Sequence, residues 1–298
     1  MKKDKSIVLN LMTEKGFEVL KTISHFKNLI AFVIIGKDAS VNDDYSEKIR
    51  TLCIDNNIDF YYRENQPKID KNIYVIAVSW RWMIKHPKNK LIVFHDSILP
   101  KYRGFAPLVN MLINGEKEIG VSAIFGADEY DRGEIIAQKR TAIVYPIKIQ
   151  EAIQINNENF KSLILEVVAK ISTDNDIPSI PQKESDSSYS IWRDYDDYFV
   201  DWSKSSNEIK RLIDAVGFPY LGARSKLSDG SEILIKDAEI ISDVDCELRH
   251  IGKVIFVEQG CPIVICGSGL LKITDASFVE TNSASQFLPL KKFRIRFI

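Results

Sequence analysis

The first half of the chain alternates short apolar runs with amphipathic stretches. SIVLNLM (6–12), LIAFVIIG (29–36), IDFYYR (58–63), NIYVIAVSW (72–80) and KLIVFHDS (90–97) are brief, rich in β-branched and aromatic residues, and bounded by polar or turn residues. Such runs predict buried strands of a parallel sheet. Between them, TEKGFEVLKTIS places Phe17, Leu20 and Ile23 three apart, the spacing of one helix face, with Thr13 as its expected N-cap and Gly16 as an unfavourable interior residue. SEKIRTLCIDNN (46–57) predicts a second helix and APLVNMLINGE (106–116) a third, stopped at Gly115. GVSAIFGAD (120–128) and GEIIAQKRTAI (133–143) predict further extended segments, and 149–172 carries a sustained helical period. Strands alternating with helices predict βαβ units and a doubly wound, mostly parallel α/β sheet, which binds ligands at the carboxyl ends of its strands.

The pattern changes near residue 190. TDNDIPSIPQKESDSSY (173–189) has little apolar content and reads as linker sequence. SNEIKRLIDAVG (206–217) predicts a helix capped by Ser205 or Ser206 and stopped by Gly217. After it come GARSKL, SEILIKDAEII, GKVIFVEQG, CPIVICGSG and LLKITDASFV, short runs separated by glycine turns, the pattern of a small antiparallel barrel or sandwich. The expected organisation is a first domain over 1–184, a connection over 185–204 and a second domain over 205–298.

Composition narrows the class. Of 298 residues, 45% are hydrophobic and 27% charged, as in soluble globular proteins. No apolar run reaches the about 18 residues a membrane span needs. MKKDKSIVLN reads as a polar tail entering a strand, without the small-residue cleavage site of a signal peptide. The four cysteines are scattered, and Cys261 and Cys266 stand too far apart for C-x-x-C, so reduced thiols in the cytoplasm are expected. The net charge is −1, and neither half is basic when the chain is split near residue 188, which argues against a dedicated nucleic-acid binder. H-E-x-x-H, clustered Cys/His, Walker A and G-x-S-x-G patterns are absent, so metal, ATP and serine-hydrolase chemistry have no support.

The chemistry concentrates in HDSILPKYRGFAPLVNMLINGEKEIGVSAIFGADEYDRGEIIAQ (95–138). His95 is one of four histidines. Alone at a strand end it would more often be structural than catalytic, and Asp131 before Arg132 and Gly133 would more often be a turn aspartate. His25, His86 and His250 show no partner pattern and read as surface or structural. The segment, however, resembles the folate-dependent formyltransferases, whose pattern is close to N-x-H-x-S-L-L-P-x-Y-R-G-x-x-P, then G-x-x-x-x-G-V-T, then D-x-G-x-I-x-x-Q. His95, Ser97, Leu99, Pro100, Tyr102, Arg103, Gly104 and Pro107 match in place, as do Gly115, Gly120, Val121, Asp131, Gly133, Ile135 and Gln138. Asp131 follows His95 by 36 positions, the family's interval. VDWSKSSNEIKRLIDAVGFPYLGARS is similar to the opening of the C-terminal domain of methionyl-tRNA formyltransferases and two-domain sugar N-formyltransferases, which in that family is a small OB-like β-barrel.

The resemblance implies transfer of a formyl group from N10-formyltetrahydrofolate, a co-substrate, to a primary amine, with no metal. His95 and Asp131 would be catalytic, His95 moving a proton and stabilising the oxyanion, Asp131 orienting it and helping to take the amine proton. Ser79, Trp80, Arg81, Trp82, Met83, Asp128 and Tyr130 lie where the family grips the pterin; Trp80 and Trp82 read more readily as core or pocket wall. Ser97, Pro100, Lys101, Tyr102, Arg103 and Gly104 would shape the substrate site, with Arg103 either holding the loop or meeting substrate phosphates. Val93 stands where the family has the asparagine that bonds the formyl oxygen, which leaves open a substitute donor such as Ser97 or a backbone N–H, a mechanism leaning harder on His95, or an impaired enzyme.

The expected acceptor is a nucleotide-linked amino sugar. Methionyl-tRNA formyltransferase is the alternative, disfavoured because GKDASVNDDYSEK carries three aspartates and no basic cluster where the tRNA enzyme is expected to be basic. A folate-binding relative without turnover is the second alternative. The apolar strands of the second domain are compatible with a homodimer.

Overall fold

The computed structural model describes residues 6–38, 43–173, 176–279 and 286–298. The polar tail expected at the amino terminus, and parts of the acidic GKDASVNDDYSEK stretch, of the linker sequence and of the second domain, lie outside the described residues.

The chain folds as two compact units that interleave in sequence. The first comprises the chain up to Leu108, Glu118–Ala142 and Ile153–Ile191; the second comprises Val109–Lys117, Ile143–Ala152 and Trp192–Ile298.

The first unit holds the strands β1 (Ile7–Leu11), β2 (Ile30–Ile35), β3 (Phe60–Tyr62), β4 (Tyr74–Val78), β5 (Leu91–His95), β6 (Arg103–Gly104), β7 (Glu118–Phe125), β8 (Ile135–Ala142) and β9 (Tyr189–Ser190). Seven of them form one sheet in the order β3-β2-β1-β4-β5-β7-β8. The five strands from β3 to β5 are mutually parallel, and β7 and β8 continue the sheet antiparallel. The apolar runs become strands because both faces of the sheet are covered, so every second residue finds a core on its own side. Ile7, Leu9, Leu11, Val33, Ile35, Ile76, Val78, Ile92 and Phe94 join the larger core. Helices α1 (Thr13–Ile23), α2 (Ser46–Asn56) and α4 (Ile149–Ser172) supply it with Val19, Leu20 and Ile23, with Ile49 and Cys53, and with Phe160, Leu163, Val167 and Ile171. The opposite face buries Val8, Ile34, Val75 and Leu91, with Trp80, Ile84 and Val93 packed against them.

Two local expectations need correction. Thr13 does not cap α1: it is the first helical residue, in the left-handed region at φ 60°, and the cap position falls on Met12, which offers no side-chain acceptor. The polar stretch 173–189 does not run free either. Ile180 pairs with Ile135, and β9 pairs with β6. Main-chain hydrogen bonds and burial of Ile177 in the larger core hold this stretch in place.

The second unit carries α3 (Pro107–Asn114) from Val109 onward, α5 (Ser206–Val216), and strands β10 (Ala223–Lys226), β11 (Glu232–Ile241), β12 (Val254–Glu258), β13 (Cys261–Ile265) and β14 (Leu270–Phe278). Ser205 caps α5 in a reciprocal box with Glu208. The strands form an antiparallel sheet in the order β10-β11-β14-β13-β12. The last residues tie its two edges together: Ile298 N–H donates to Lys226 O at 2.7 Å and Phe297 N–H to Gly252 O at 2.8 Å. Among the described residues no helix is long and apolar enough to cross a membrane, and no cluster of His, Cys, Asp and Glu is suited to a metal ion.

Candidate active site

β5 delivers His95 to the carboxyl end of the parallel strands. Its alternation sends Phe94 into the larger core and leaves Val93 and His95 on the opposite face. His95 is 7% exposed. Its Nε2 lies 2.7 Å from Tyr102 O, and its Nδ1 lies 3.4 Å from Asp131 Oδ1. Both neighbours are acceptors, so the ring satisfies both only with a proton on each nitrogen.

Asp131 arrives by a long route. β7 runs antiparallel to β5, so the turn after Phe125 begins beside Leu91, at the amino end of β5, where Gly126 N–H donates to Leu91 O at 2.8 Å. The loop then covers the roughly 13 Å back to His95. Gln182 fastens it by donating to Asp131 O at 2.7 Å and Gly133 O at 2.8 Å. At Gly133 a Cβ would stand 1.7 Å from Phe125 O, so only glycine lets the loop approach the strand. Asp131 itself sits at φ 59°, and its second oxygen accepts the Gly104 N–H at 2.8 Å.

The loop from Ser97 to Gly104 is built to hold this pair. Ser97 Oγ donates to Lys101 O at 2.7 Å. Ser122, opposite His95 on β7, donates to Ser97 O at 2.6 Å, accepts the Leu99 N–H at 3.0 Å, and accepts Gln138 Nε2 at 2.8 Å. Gln138 also donates to Leu99 O at 2.8 Å. Gly104, at φ 101°, passes so close to β9 that a Cβ would meet Ser190 O at 2.5 Å. Sequence reasoning missed the Ser122 hub; the signal was its place directly after Gly120–Val121, where the formyltransferase pattern has threonine.

Arg103 is 1% exposed. Its guanidinium donates to Gln182 Oε1 at 2.9 Å and to Glu184 Oε2 at 2.9 Å, and lies 3.3 Å from the Tyr189 hydroxyl. Arg103 is thereby engaged within the loop, the first of the two roles expected for it. The guanidinium holds the Glu184 carboxyl below the ordinary carboxylate range. Ser97 is likewise enclosed, with its hydroxyl engaged inside the loop, so it is no substitute for the donor lacking at Val93. Tyr102 contributes its carbonyl and is buried, Pro100 is half-buried, and Lys101 is exposed. Asp96 is held by Lys15 and by Asn156 Nδ2, the latter at 3.1 Å.

The pterin-side expectations separate into two groups. Ser79 follows β4, whose Val78 pairs with Phe94, so it stands beside the His95 strand end, in the left-handed region at φ 54°. Trp80 packs on the smaller core face, with Trp82 edge-on at 5.1 Å and the Arg63 guanidinium 4.2 Å from the Trp82 ring. Arg81 pairs with buried Asp38, and Met83 is half exposed. On the other loop, Asp128 forms an exposed ion pair with Lys88 at 2.5 Å. Lys88 lies beside the amino end of β5. Tyr130 is half exposed, 6.3 Å from Phe105.

The formyl transferase family profile matches residues 77–167, and the profile of the formyl transferase C-terminal domain matches residues 193–289. A methionyl-tRNA formyltransferase of Alkaliphilus oremlandii (strain OhILAs) is 30% identical over 200 residues, 66% of this chain and 62% of that protein. The bifunctional polymyxin resistance protein ArnA of Wigglesworthia glossinidia brevipalpis is 29% identical over 301 residues, 93% of this chain and 42% of that protein. The chain thus spans about three fifths and two fifths of these relatives' lengths. Among solved structures, WlaRD, a sugar 3N-formyl transferase determined with dTDP and 5-N-formyl-THF, superposes with a TM-score of 0.69 at 20% identity, over 93% of this chain and 98% of that one.

Proposed function

The chain belongs to the formyltransferase family, and on that premise we propose that it moves the formyl group of N10-formyltetrahydrofolate to the primary amine of a nucleotide-linked amino sugar. The observation that carries the reading is His95 held between Tyr102 O and Asp131 at the carboxyl end of the sheet.

The folate supplies a formyl carbon on an amine nitrogen that must leave protonated. The acceptor amine attacks as the neutral base and must lose a proton, so the transfer needs one group that gives a proton and one that takes it. His95 is set to give: with both nitrogens facing acceptors, it carries a proton toward Tyr102 O that a better-placed substrate atom can receive. Asp131 is set to take: Gly104 N–H satisfies one of its oxygens, while the oxygen facing His95 can accept. Burial of both side chains keeps water from competing for these protons. Val93 provides no polar atom, so the developing oxyanion depends on His95 and on main-chain N–H groups.

The residues around the strand ends suit a reduced folate: Ser79 turns the main chain in the left-handed region beside His95, and Trp80 and Trp82, packed edge to face, add aromatic surface nearby. Charge supports a sugar nucleotide over tRNA, because the chain is net −1 and a diphosphate needs only a local cation, for which exposed Lys101 is available. A second reading, methionyl-tRNA formyltransferase, is favoured by the relative of that name at 30% identity. A cytoplasmic location goes with the proposal, as reduced folate chemistry and four free cysteines suit a reducing compartment.

The test offers N10-formyltetrahydrofolate with a panel of nucleotide-linked amino sugars and with Met-tRNA, reading the mass gain on each acceptor, with His95→Asn as control. Formylation of a sugar nucleotide, lost in the control, is expected. Formylation of Met-tRNA alone would replace the proposed acceptor, and folate binding without any transfer would replace the enzyme by a folate-binding relative.

A further inference from the structure

The residue after His95 carries a charge that the transfer reaction does not use. Asp96 leaves β5 on the side of the two helices: Lys15, in the first turn of α1, meets its Oδ2, and Asn156 of α4 donates from Nδ2 to its Oδ1 at 3.1 Å. Lys15 Nζ also stands 5.9 Å from the ring of Phe160, which stacks on Phe94 in the larger core. The row of donors continues beyond Asn156. Asn159 Nδ2 donates to Asn156 Oδ1 at 3.1 Å, and Thr141 on β8 donates to Asn159 Oδ1 at 3.0 Å. Asn156 and Asn159 are buried. Each donor in this row points toward the Asp96 carboxylate, so two helices and the sheet converge on one side chain.

Stability alone does not account for the pair. The Lys15 and Asp96 side chains are 13% and 16% exposed. Taking both charges out of water offsets most of their attraction, so such a pair is close to neutral against apolar residues of similar size. What it fixes is geometry. Asp96 begins the turn that leaves β5 and leads into the loop from Ser97 to Gly104, whose Tyr102 O returns to His95 Nε2 at 2.7 Å. Ring and carbonyl thus close a circuit through Asp96, and a rotation of the main chain there changes the angle between them. Ser122 holds the body of the loop from β7, while Lys15 and Asn156 hold its root. The same two anchors keep the carboxylate turned toward the helices; facing the site, its charge would oppose a developing oxyanion.

We propose that Asp96 is a positioning residue for formyl transfer: Lys15 and Asn156 hold it from two helices, and through it they fix His95 against the Tyr102 carbonyl. This inference rests on the formyltransferase reading but not on the choice of acceptor. Proton transfer stays with His95 and Asp131.

The experiment compares wild type, Lys15→Met, and Lys15→Met combined with Asp96→Asn. The double variant removes both charges and keeps an oxygen for Asn156. Transfer from N10-formyltetrahydrofolate is followed with the acceptor, among nucleotide-linked amino sugars and Met-tRNA, that wild type turns over fastest, and thermal melting reports the fold. Lys15→Met leaves a carboxylate without its cation and should lower both the melting temperature and kcat. The double variant should melt within about 3 °C of wild type. Its kcat should stay about tenfold or more below wild type, with KM for folate and acceptor within about threefold. For an ion pair that serves the fold alone, kcat would recover together with the melting temperature. Recovery of kcat to within about threefold of wild type, a loss carried by KM alone, or a double variant that melts as low as Lys15→Met or does not fold would each overturn the inference alone. A wild-type protein that transfers formyl to none of the acceptors would overturn the formyltransferase reading and this inference with it.

Discussion

Asp131 faces His95 with one carboxylate oxygen 3.4 Å from Nδ1, while its other oxygen receives the Gly104 N–H at 2.8 Å. One side chain thus orients the ring and fixes the loop that supplies the ring's other partner, Tyr102 O. Asp131→Asn keeps an oxygen for Gly104 and loses the proton acceptor. It should lower kcat about a hundredfold or more, the usual range for a positioned acid or base, with the folate KM within about threefold of wild type. Steady-state formyl transfer measures both, and a kcat within threefold of wild type would exclude Asp131 from the proton path.

Arg103 makes a different kind of prediction because its guanidinium is enclosed by Gln182, Glu184 and Tyr189. Arg103→Lys keeps the charge but not the planar fork that reaches several acceptors at once. The melting temperature should fall by roughly 2–4 °C for each kcal/mol lost, and kcat should fall with it as the loop loosens. An Arg103→Lys protein with wild-type melting and a raised KM for the nucleotide substrate alone would return Arg103 to the phosphate-binding role.

What the sequence made legible follows from which forces leave a local trace. Buried parallel strands must be continuously apolar, so β1, β2, β4 and β5 could be read directly, and the capped, amphipathic α5 likewise. The interval from His95 to Asp131 carried the candidate pair. The partners of Arg103 were hidden because Gln182, Glu184 and Tyr189 lie in a polar stretch whose ordering comes from hydrogen bonds, which leave no hydrophobic period. A motif gives distance along the chain, whereas the antiparallel turn of β7 decides which end of the sheet the loop carrying Asp128 starts from.

Ser122 should prove as sensitive as the matched motif positions. It is fully buried, donates to Ser97 O, and accepts from Leu99 N–H and Gln138 Nε2. Ser122→Ala removes the hydroxyl from Ser97 O and the Leu99 N–H and leaves Gln138 Nε2 with Leu99 O alone, which should cost about 2 kcal/mol, read by denaturant unfolding, with kcat reduced as the carbonyl facing His95 loses its support. Ser122→Thr retains the hydroxyl and should recover most of the stability. Equal stability of the alanine variant and wild type would show that the loop does not depend on this hub.

Thiol chemistry tests the packing of both units at once. Burial pushes the Cys53 and Cys266 thiols up to about 12, while Cys246 and Cys261 are only partly covered. A raised thiol pKa depopulates the thiolate: at pH 8 the reactive fraction at about 12 is on the order of one in ten thousand, and it grows tenfold with each pH unit until the pKa is reached. Iodoacetamide at pH 8 should therefore modify Cys246 and Cys261 in the folded protein and spare Cys53 and Cys266, with all four modified after denaturation, as read by peptide mass spectrometry. Modification of Cys53 as fast as Cys246 would mean that α2 does not cover the sheet as described, and the same result at Cys266 would mean that the segment just after β13 is open to solvent.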